Sequence, residues 1–256
     1  MFKNGEAVSL SYEQGAGAYL AGTTTALPRK GNEKDGVYLP CVSYPTSKAS
    51  SNWLGLPNES DAVVARNLKN TIARLPNNER SFPIGASLMG APELNGEEKV
   101  EKLIEGMWCY EQAGVDFIEL NESCPNTIEG PPQESDLEKR LHCIKDAFLE
   151  KRTRRVPVIV KFSPDTEISQ VDALVKLLIE LKFDGVNFGN TSTQYKEHRA
   201  LIDSEEVPLF DYFTSTFGGG IGGIPLQKAS LELVRAAAKA KANHSGEHEF
   251  HIIHTG

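Results

Sequence analysis

The chain has 256 residues, enough for one substantial core, and a formal charge of −8 at pH 7 with its Lys and Arg scattered rather than clustered, which advertises no basic face for nucleic acid. No apolar run approaches the ~18 residues of a membrane-spanning helix, and Met1 leads straight into polar FKNGE, where a secretory leader would be apolar. The four cysteines (Cys41, Cys109, Cys124, Cys143) form no CxxC pair and no zinc spacing, so an intracellular, reduced protein is the expectation.

In chain order, the runs GAYLAGT (17–23), FPIGASL (82–88), VDFIELN (115–121), VPVIVKFS (156–163), DGVNFGN (184–190) and FHIIHTG (250–256) read as strands. Each is short, rich in β-branched or aromatic residues, and bounded by Gly, Pro or Asn. Amphipathic segments alternate with them. Val100, Leu103, Ile104 and Met107 fall at the spacing of one buried helix face, as do Ile168, Val171, Leu174, Val175 and Leu178. Residues 60–74, 134–151 and 226–242 are further helices, the last begun by Pro225. Cys109 and Cys143 fall in helical patterns and are expected to be buried.

Alternating strands and helices imply parallel strands joined by crossover helices, either an open doubly wound sheet or a closed (β/α)8 barrel. Polar residues sit at the C-terminal ends of five of these strands: Thr23, Ser87, Asn121, Lys161 and Asn190. That distribution favours the barrel, whose strand ends converge on one site. Two excursions, residues 24–59 and 191–217, break the rhythm and are expected to wall that site. The chain is read as a single domain, without internal repeats.

NESCPNT (121–127) places a thiol between two asparagines at a strand end. An unperturbed thiol, with a pKa of about 8.5, titrates close enough to neutral for acid–base work, so Cys124 suits that role, with Asn121 and Asn126 offering amide donors and acceptors to a small planar ligand. Alternatively the cysteine is structural and the Asn and Pro residues serve a turn. Lys161 ends an apolar strand; it faces either an anionic or electron-rich partner or solvent along its own stem. The glycines of FGGGIGGIPLQ (217–227) precede a helix and suit phosphate, although a plain flexible loop has the same composition. The histidines of HSGEHEFHIIH (244–254) are not read as a metal site: Gly246 breaks any helix there, and His251 and His254 point to opposite faces of a strand.

Taken together, KNGEA (3–7), GTTTALPRKGN (22–32), NWLGLPN (52–58), NESCPNT, VPVIVKFSPD (156–165), DGVNFGNTST (184–193) and GGGIGGIPLQ (218–227) resemble the dihydroorotate dehydrogenases in order and spacing. The resemblance implies an α/β fold, the (β/α)8 barrel, holding FMN at its C-terminal mouth. It also implies an oxidoreductase acting on CH–CH bonds, which oxidises dihydroorotate to orotate in pyrimidine (UMP) biosynthesis. Cys124 stands at the position of the catalytic base. Lys3, Asn52, Trp53, Leu54, Gly55, Leu56, Asn121, Asn126, Asn190 and Thr191 stand at substrate positions. Lys3, Thr23, Ser87, Asn121, Lys161, Gly222, Gly223 and Gly256 stand at flavin positions.

The sequence also departs from that pattern. KNGEA and GTTT resemble the membrane-associated class of the family, while NESCPNT and SLMG resemble the soluble class. Quinone, fumarate and NAD are therefore all open as electron acceptors. A cytoplasmic location is expected, with membrane association if a longer N-terminus exists, and a homodimer is compatible. Glu122 stands where the family has an apolar residue, and His254 where it has glycine. The family pattern includes one strand before KNGEA and another beyond Gly256, so a barrel lacking its first and last strands, part of a longer enzyme, is expected. The alternatives are a related flavin enzyme acting on another dihydropyrimidine and a non-catalytic remnant.

Overall fold

The computed structural model describes residues 3–75, 82–123, 137–244 and 248–255. A short helix α1 (Val8–Glu13) precedes β1 (Tyr19–Thr24), followed by a hairpin of β2 (Glu33–Lys34) and β3 (Val37–Tyr38), then β4 (Cys41–Tyr44) and β5 (Ala49–Asn52). Next come α2 (Asp61–Ile72), β6 (Ile84–Leu88), α3 (Gly96–Ala113), β7 (Phe117–Asn121) and α4 (Leu137–Ile144), which runs into a π-turn at Lys145–Leu149. The chain continues through β8 (Val158–Lys161), α5 (Ile168–Glu180), β9 (Gly185–Asn187), α6 (Tyr195–Arg199), α7 (Val207–Thr216), β10 (Gly220–Gly223), α8 (Gln227–His244) and β11 (His251–Ile253).

The main sheet has the order β1-β6-β7-β8-β9-β11, every pairing parallel. Its six strands are the six expected apolar runs. Their near-continuous apolar character has a physical cause: β6 is buried at all of its positions, as in a sheet covered on both faces. Among the described residues β1 and β11 end the sheet and no ladder joins them.

Helices cover the outer face. Val64 and Leu68 of α2, Leu103 and Met107 of α3, Val171, Val175 and Leu178 of α5, and Leu233 of α8 form one core with Ile84, Leu88, Ile118, Val158, Val160 and Val186 from the strands. Burying each such side chain is worth about 1.5–3 kcal/mol. Helix ends follow their chemistry. Ser60 Oγ accepts from Val63 N at the start of α2, and Glu167 and Gln170 form a reciprocal capping box at α5. Gly114, at φ +89°, ends α3. Cys109 is half-buried, but Cys143 is exposed, contrary to expectation. The inner face of this helix is filled by Leu141, Ile144 and, beyond its end, Phe148, which turns position 143 outward.

The two excursions are structured. β4, β5 and β10 make an antiparallel sheet, with Gly220 opposite Asn52 and Gly223 opposite Ala49. Tyr44, Ala49 and Ile221 from this sheet pack with Ile202 and Phe210 in a second, smaller core. The glycine run is therefore in part a strand. At Gly219 (φ +80°) a Cβ would lie 2.1 Å from Asn52 O, so only glycine admits this backbone approach.

Behind β1, Thr24 Oγ1 donates to Asp61 Oδ1 at 2.5 Å and lies 2.7 Å from Tyr110 Oη. Asp61 Oδ2 is buried without a hydrogen-bond partner among the described residues. It faces Gly106 of α3, where a Cβ would come within 2.5 Å of it and 3.1 Å of Leu88 Cδ1. Gly106→Ala, normally favourable in a helix, is therefore expected to destabilise by about 1–3 kcal/mol. A urea midpoint equal to or above that of the unsubstituted chain would contradict this.

Candidate active site

Alternation along the parallel strands sends one set of side chains into the interior of the curved sheet, and near the strand C-termini that set is polar. Register places the members beside one another: Ser87 opposite Glu119, Asn121 opposite Lys161, and Lys161 opposite Asn187. Glu119 is the hub. Its Oε1 accepts from Ser87 Oγ at 2.9 Å and lies 2.6 Å from Lys161 Nζ, while its Oε2 accepts from Asn187 Nδ2 at 3.1 Å. Burying a carboxylate is costly unless donors surround it, and here three neighbouring strands supply them.

A second tier sits at the strand ends. Thr23 Oγ1 lies 2.9 Å from Ser87 Oγ and accepts from Asn121 Nδ2 at 2.9 Å. Asn190 Nδ2 donates to Asn121 Oδ1 at 3.0 Å and to Ser123 O at 2.9 Å. Thr191 N donates back to Asn190 Oδ1 at 2.9 Å. Thr191 Oγ1 is buried with no hydrogen-bond partner among the described residues. A buried hydroxyl left without a partner usually awaits a ligand or water.

The antiparallel sheet is anchored immediately beside this cluster. Ser192 and Ile221 exchange both backbone hydrogen bonds, at 2.8 and 2.9 Å, tying β10 to the residue after Thr191. Asp165 holds the same corner: its Oδ1 accepts from Ser192 Oγ at 2.5 Å and its Oδ2 from Thr193 N at 2.8 Å. His198 Nε2 completes the corner, 2.7 Å from Ser192 Oγ. Burial pushes the His198 imidazole below its usual pKa, against the opposing pull of Asp165 and Glu197. Gly222 and Gly223 end β10, and a single 3-10 turn at Ile224–Leu226 leads from them into α8.

Five expected residues, Thr23, Ser87, Asn121, Lys161 and Asn190, are thus brought into one hydrogen-bonded network, with Thr191 adjoining it. Lys3 lies beside β1, its carbonyl accepting from Gly22 N at 3.0 Å. Asn52 is in β5. Trp53 N donates to Pro40 O, and Leu54 O accepts from Asn32 N. Gly55 O accepts from Arg29 Nε at 2.9 Å, and Leu56 is buried against Met89. Cys124, Asn126 and Gly256 lie outside the described residues. Glu122 is not an exposed oddity: it pairs with Arg140 of α4 at 2.6 Å, and both side chains are largely buried.

Sequence reasoning missed Glu119 and Asn187. The signal was present: Glu119 is two residues before Asn121 on one strand and so shares its face, and an acidic residue in an apolar strand needs a partner such as Lys161. A cavity of about 380 Å³ lies elsewhere, among Arg152, Lys182 and His248, near the N-terminal ends of β8, β9 and β11. The chemistry-bearing groups are at the opposite ends.

Parallel strands with crossover helices, and a polar cluster gathered at the strand C-termini, define a (β/α)-barrel type of enzyme scaffold. A family model described as dihydroorotate dehydrogenase matches residues 1–256, and the chain belongs to that family. It is 26% identical over 246 residues to "Dihydroorotate dehydrogenase (quinone)" of Pseudarthrobacter chlorophenolicus, covering 93% of this chain and 64% of that one. It is 27% identical over 253 residues to the protein of the same name from Kineococcus radiotolerans, covering 94% and 63%. The chain thus spans roughly three fifths of the length of the curated relatives it matches. In fold it resembles the crystal structure of Eimeria tenella DHODH in complex with ferulenol. The TM-score is 0.78 at 21% identity, with coverage of 99% of this chain and 67% of that one. The ligand-free Eimeria structure gives 0.78 at 22% identity, with coverage of 99% and 69%.

Proposed function

We propose that this chain carries the flavin and substrate site of a dihydroorotate dehydrogenase, using FMN in pyrimidine biosynthesis. The observation that carries the reading is the strand-end network of Thr23, Ser87, Asn121, Lys161 and Asn190, with the buried Thr191 Oγ1, which has no partner among the described residues, beside it. The residues fit FMN. Lys161 places an ammonium at the mouth, and Thr23 and Asn121 supply side-chain polar groups. At Gly222 a Cβ would meet nothing nearer than Thr191 Cγ2 at 3.7 Å, so its backbone is open on that side. Gly222 and Gly223 precede α8, whose N-terminal N–H groups favour a phosphate.

Bound FMN supplies the hydride acceptor for C6 of dihydroorotate. The work left to the chain is to hold the pyrimidine, take the C5 proton and stabilise developing charge. Asn121 and Asn190 are amides with both donor and acceptor capacity, suited to ring carbonyls and N–H groups, with Asn52, Asn126 and Thr191 in the same role. Cys124 is assigned the C5 proton, because a thiol titrates close enough to neutral for proton transfer. Lys161 offsets negative charge arriving on the cofactor. The relatives named as quinone enzymes support a quinone as the electron acceptor. No helix among the described residues is long and apolar enough to cross a membrane, and we assign the reaction to the cytoplasm or its membrane surface.

The purified chain is expected to show a flavin absorption band that bleaches when dihydroorotate is added without oxygen. Bound flavin that stays oxidised with dihydroorotate but bleaches with dihydrouracil would replace this substrate assignment.

A further inference from the structure

We infer that Glu119 is a positioning residue that sets the place and the effective charge of the Lys161 ammonium, and thereby holds down the reduction potential of the bound flavin. This rests on the flavin reading above. Glu119 is 5% exposed and sits one tier below Asn121 on β7. Its carboxylate lies 2.6 Å from Lys161 Nζ and is fixed by Ser87 Oγ and Asn187 Nδ2 at 2.9 and 3.1 Å. Lys161 is the last residue of β8, with a side chain 14% exposed.

Folding alone does not call for this pair. Buried ion pairs are often replaced by apolar side chains without loss of stability, and β7 already carries Ile118 and Leu120 in the core. What the pair does supply is a cation at the mouth whose field is partly cancelled by an adjacent anion in a medium of low effective dielectric. An unpaired ammonium there would draw electrons to the flavin more strongly. A paired one leaves the reduced cofactor readier to pass its electrons on.

The test is the midpoint potential of FMN on the 256-residue chain, measured by equilibration with a reference dye, for the unsubstituted chain and for Glu119→Gln. Glutamine keeps an acceptor for the Ser87 hydroxyl and removes the charge. The expected result is a rise of about tenfold in the ratio of reduced to oxidised flavin at fixed potential, ~30 mV for a two-electron couple. In a Lys161→Met background the same substitution is expected to give a smaller change, less than about threefold, because only the direct field of the carboxylate is then removed and no ammonium is left to be repositioned. Glu119→Asp, which keeps the charge, gives a shift in the same direction and smaller, and serves if the Gln variant does not fold. An unchanged potential in flavin-loaded Glu119→Gln overturns the inference and leaves the flavin reading intact. An equal shift with and without Lys161 overturns the coupling between the two residues. Failure of the unsubstituted chain to bind FMN overturns the flavin reading and this inference with it.

Discussion

Lys161→Met is expected to lower the stability of the fold by about 3–5 kcal/mol, because it removes the cation from a buried pair and leaves the carboxylate behind. Glu119 keeps its hydrogen bonds from Ser87 and Asn187, but those neutral donors do not replace a charge 2.6 Å away. Removing the carboxylate as well, in Lys161→Met/Glu119→Leu, is expected to restore most of the loss. The comparison separates the two roles of the lysine. On the proposed function, turnover of dihydroorotate stays depressed by about 10²–10³ in kcat/KM in both variants, the scale of losing one preorganised electrostatic group. Urea unfolding decides the first part: a Lys161→Met midpoint equal to that of the unsubstituted chain, with unchanged slope, would mean that the buried Glu119 carboxylate does not depend on the charge of the lysine.

The second large effect is a pH dependence of stability. Burial lifts the Asp61 carboxyl from 3.8 to about 7, and the hydrogen bond from Thr24 only partly opposes it. In the unfolded chain this group ionises above pH 3.8; in the folded chain it keeps its proton to about pH 7. Unfolding therefore releases a proton in that window, and stability is lost as pH rises through it. The contribution is fully present below pH 3.8 and gone above about 7. At 1.36 kcal/mol per unit, a shift of about three units corresponds to ~4 kcal/mol. The neighbours facing Asp61 do not blur this window. Burial raises Tyr110 and Cys109 from ordinary values of 10.0 and 9.0, so both stay neutral across it. Asp61→Asn is expected to flatten the stability profile between pH 4 and 7. A profile as steep as that of the unsubstituted chain would place the titrating group elsewhere.

Much of this site could be read locally. The ends of β1, β6, β7 and β8 carry Thr23, Ser87, Asn121 and Lys161, each a polar residue terminating an apolar run. Parallel strands bring such ends together whatever the details of packing. Lys161 was marked by the cost of burying an ammonium, and the structure supplies its anion in Glu119. The glycine run was harder. Its partner is the serine-rich β5, more than 160 residues earlier, so no window of sequence could reveal that Gly220–Gly223 pairs as an edge strand. The same holds for the excursions. β5 carries a single apolar residue, Ala49, and among the described residues its sheet closes over a small core of Tyr44, Ala49, Ile202, Phe210 and Ile221.

The sequence by itself determined the alternation of strands and helices, the parallel sheet and the end of that sheet at which the polar groups meet. These follow from hydrophobic periodicity and strand polarity, which are local. Only the tertiary structure decided that Glu119 pairs with Lys161, that the Thr191 hydroxyl is buried with no hydrogen-bond partner among the described residues, that Glu122 is matched by Arg140, and that Asp61 holds its proton to about pH 7. Each of those depends on the dielectric and on the donors within a few ångströms, and those neighbours come from strands and helices distant in the chain.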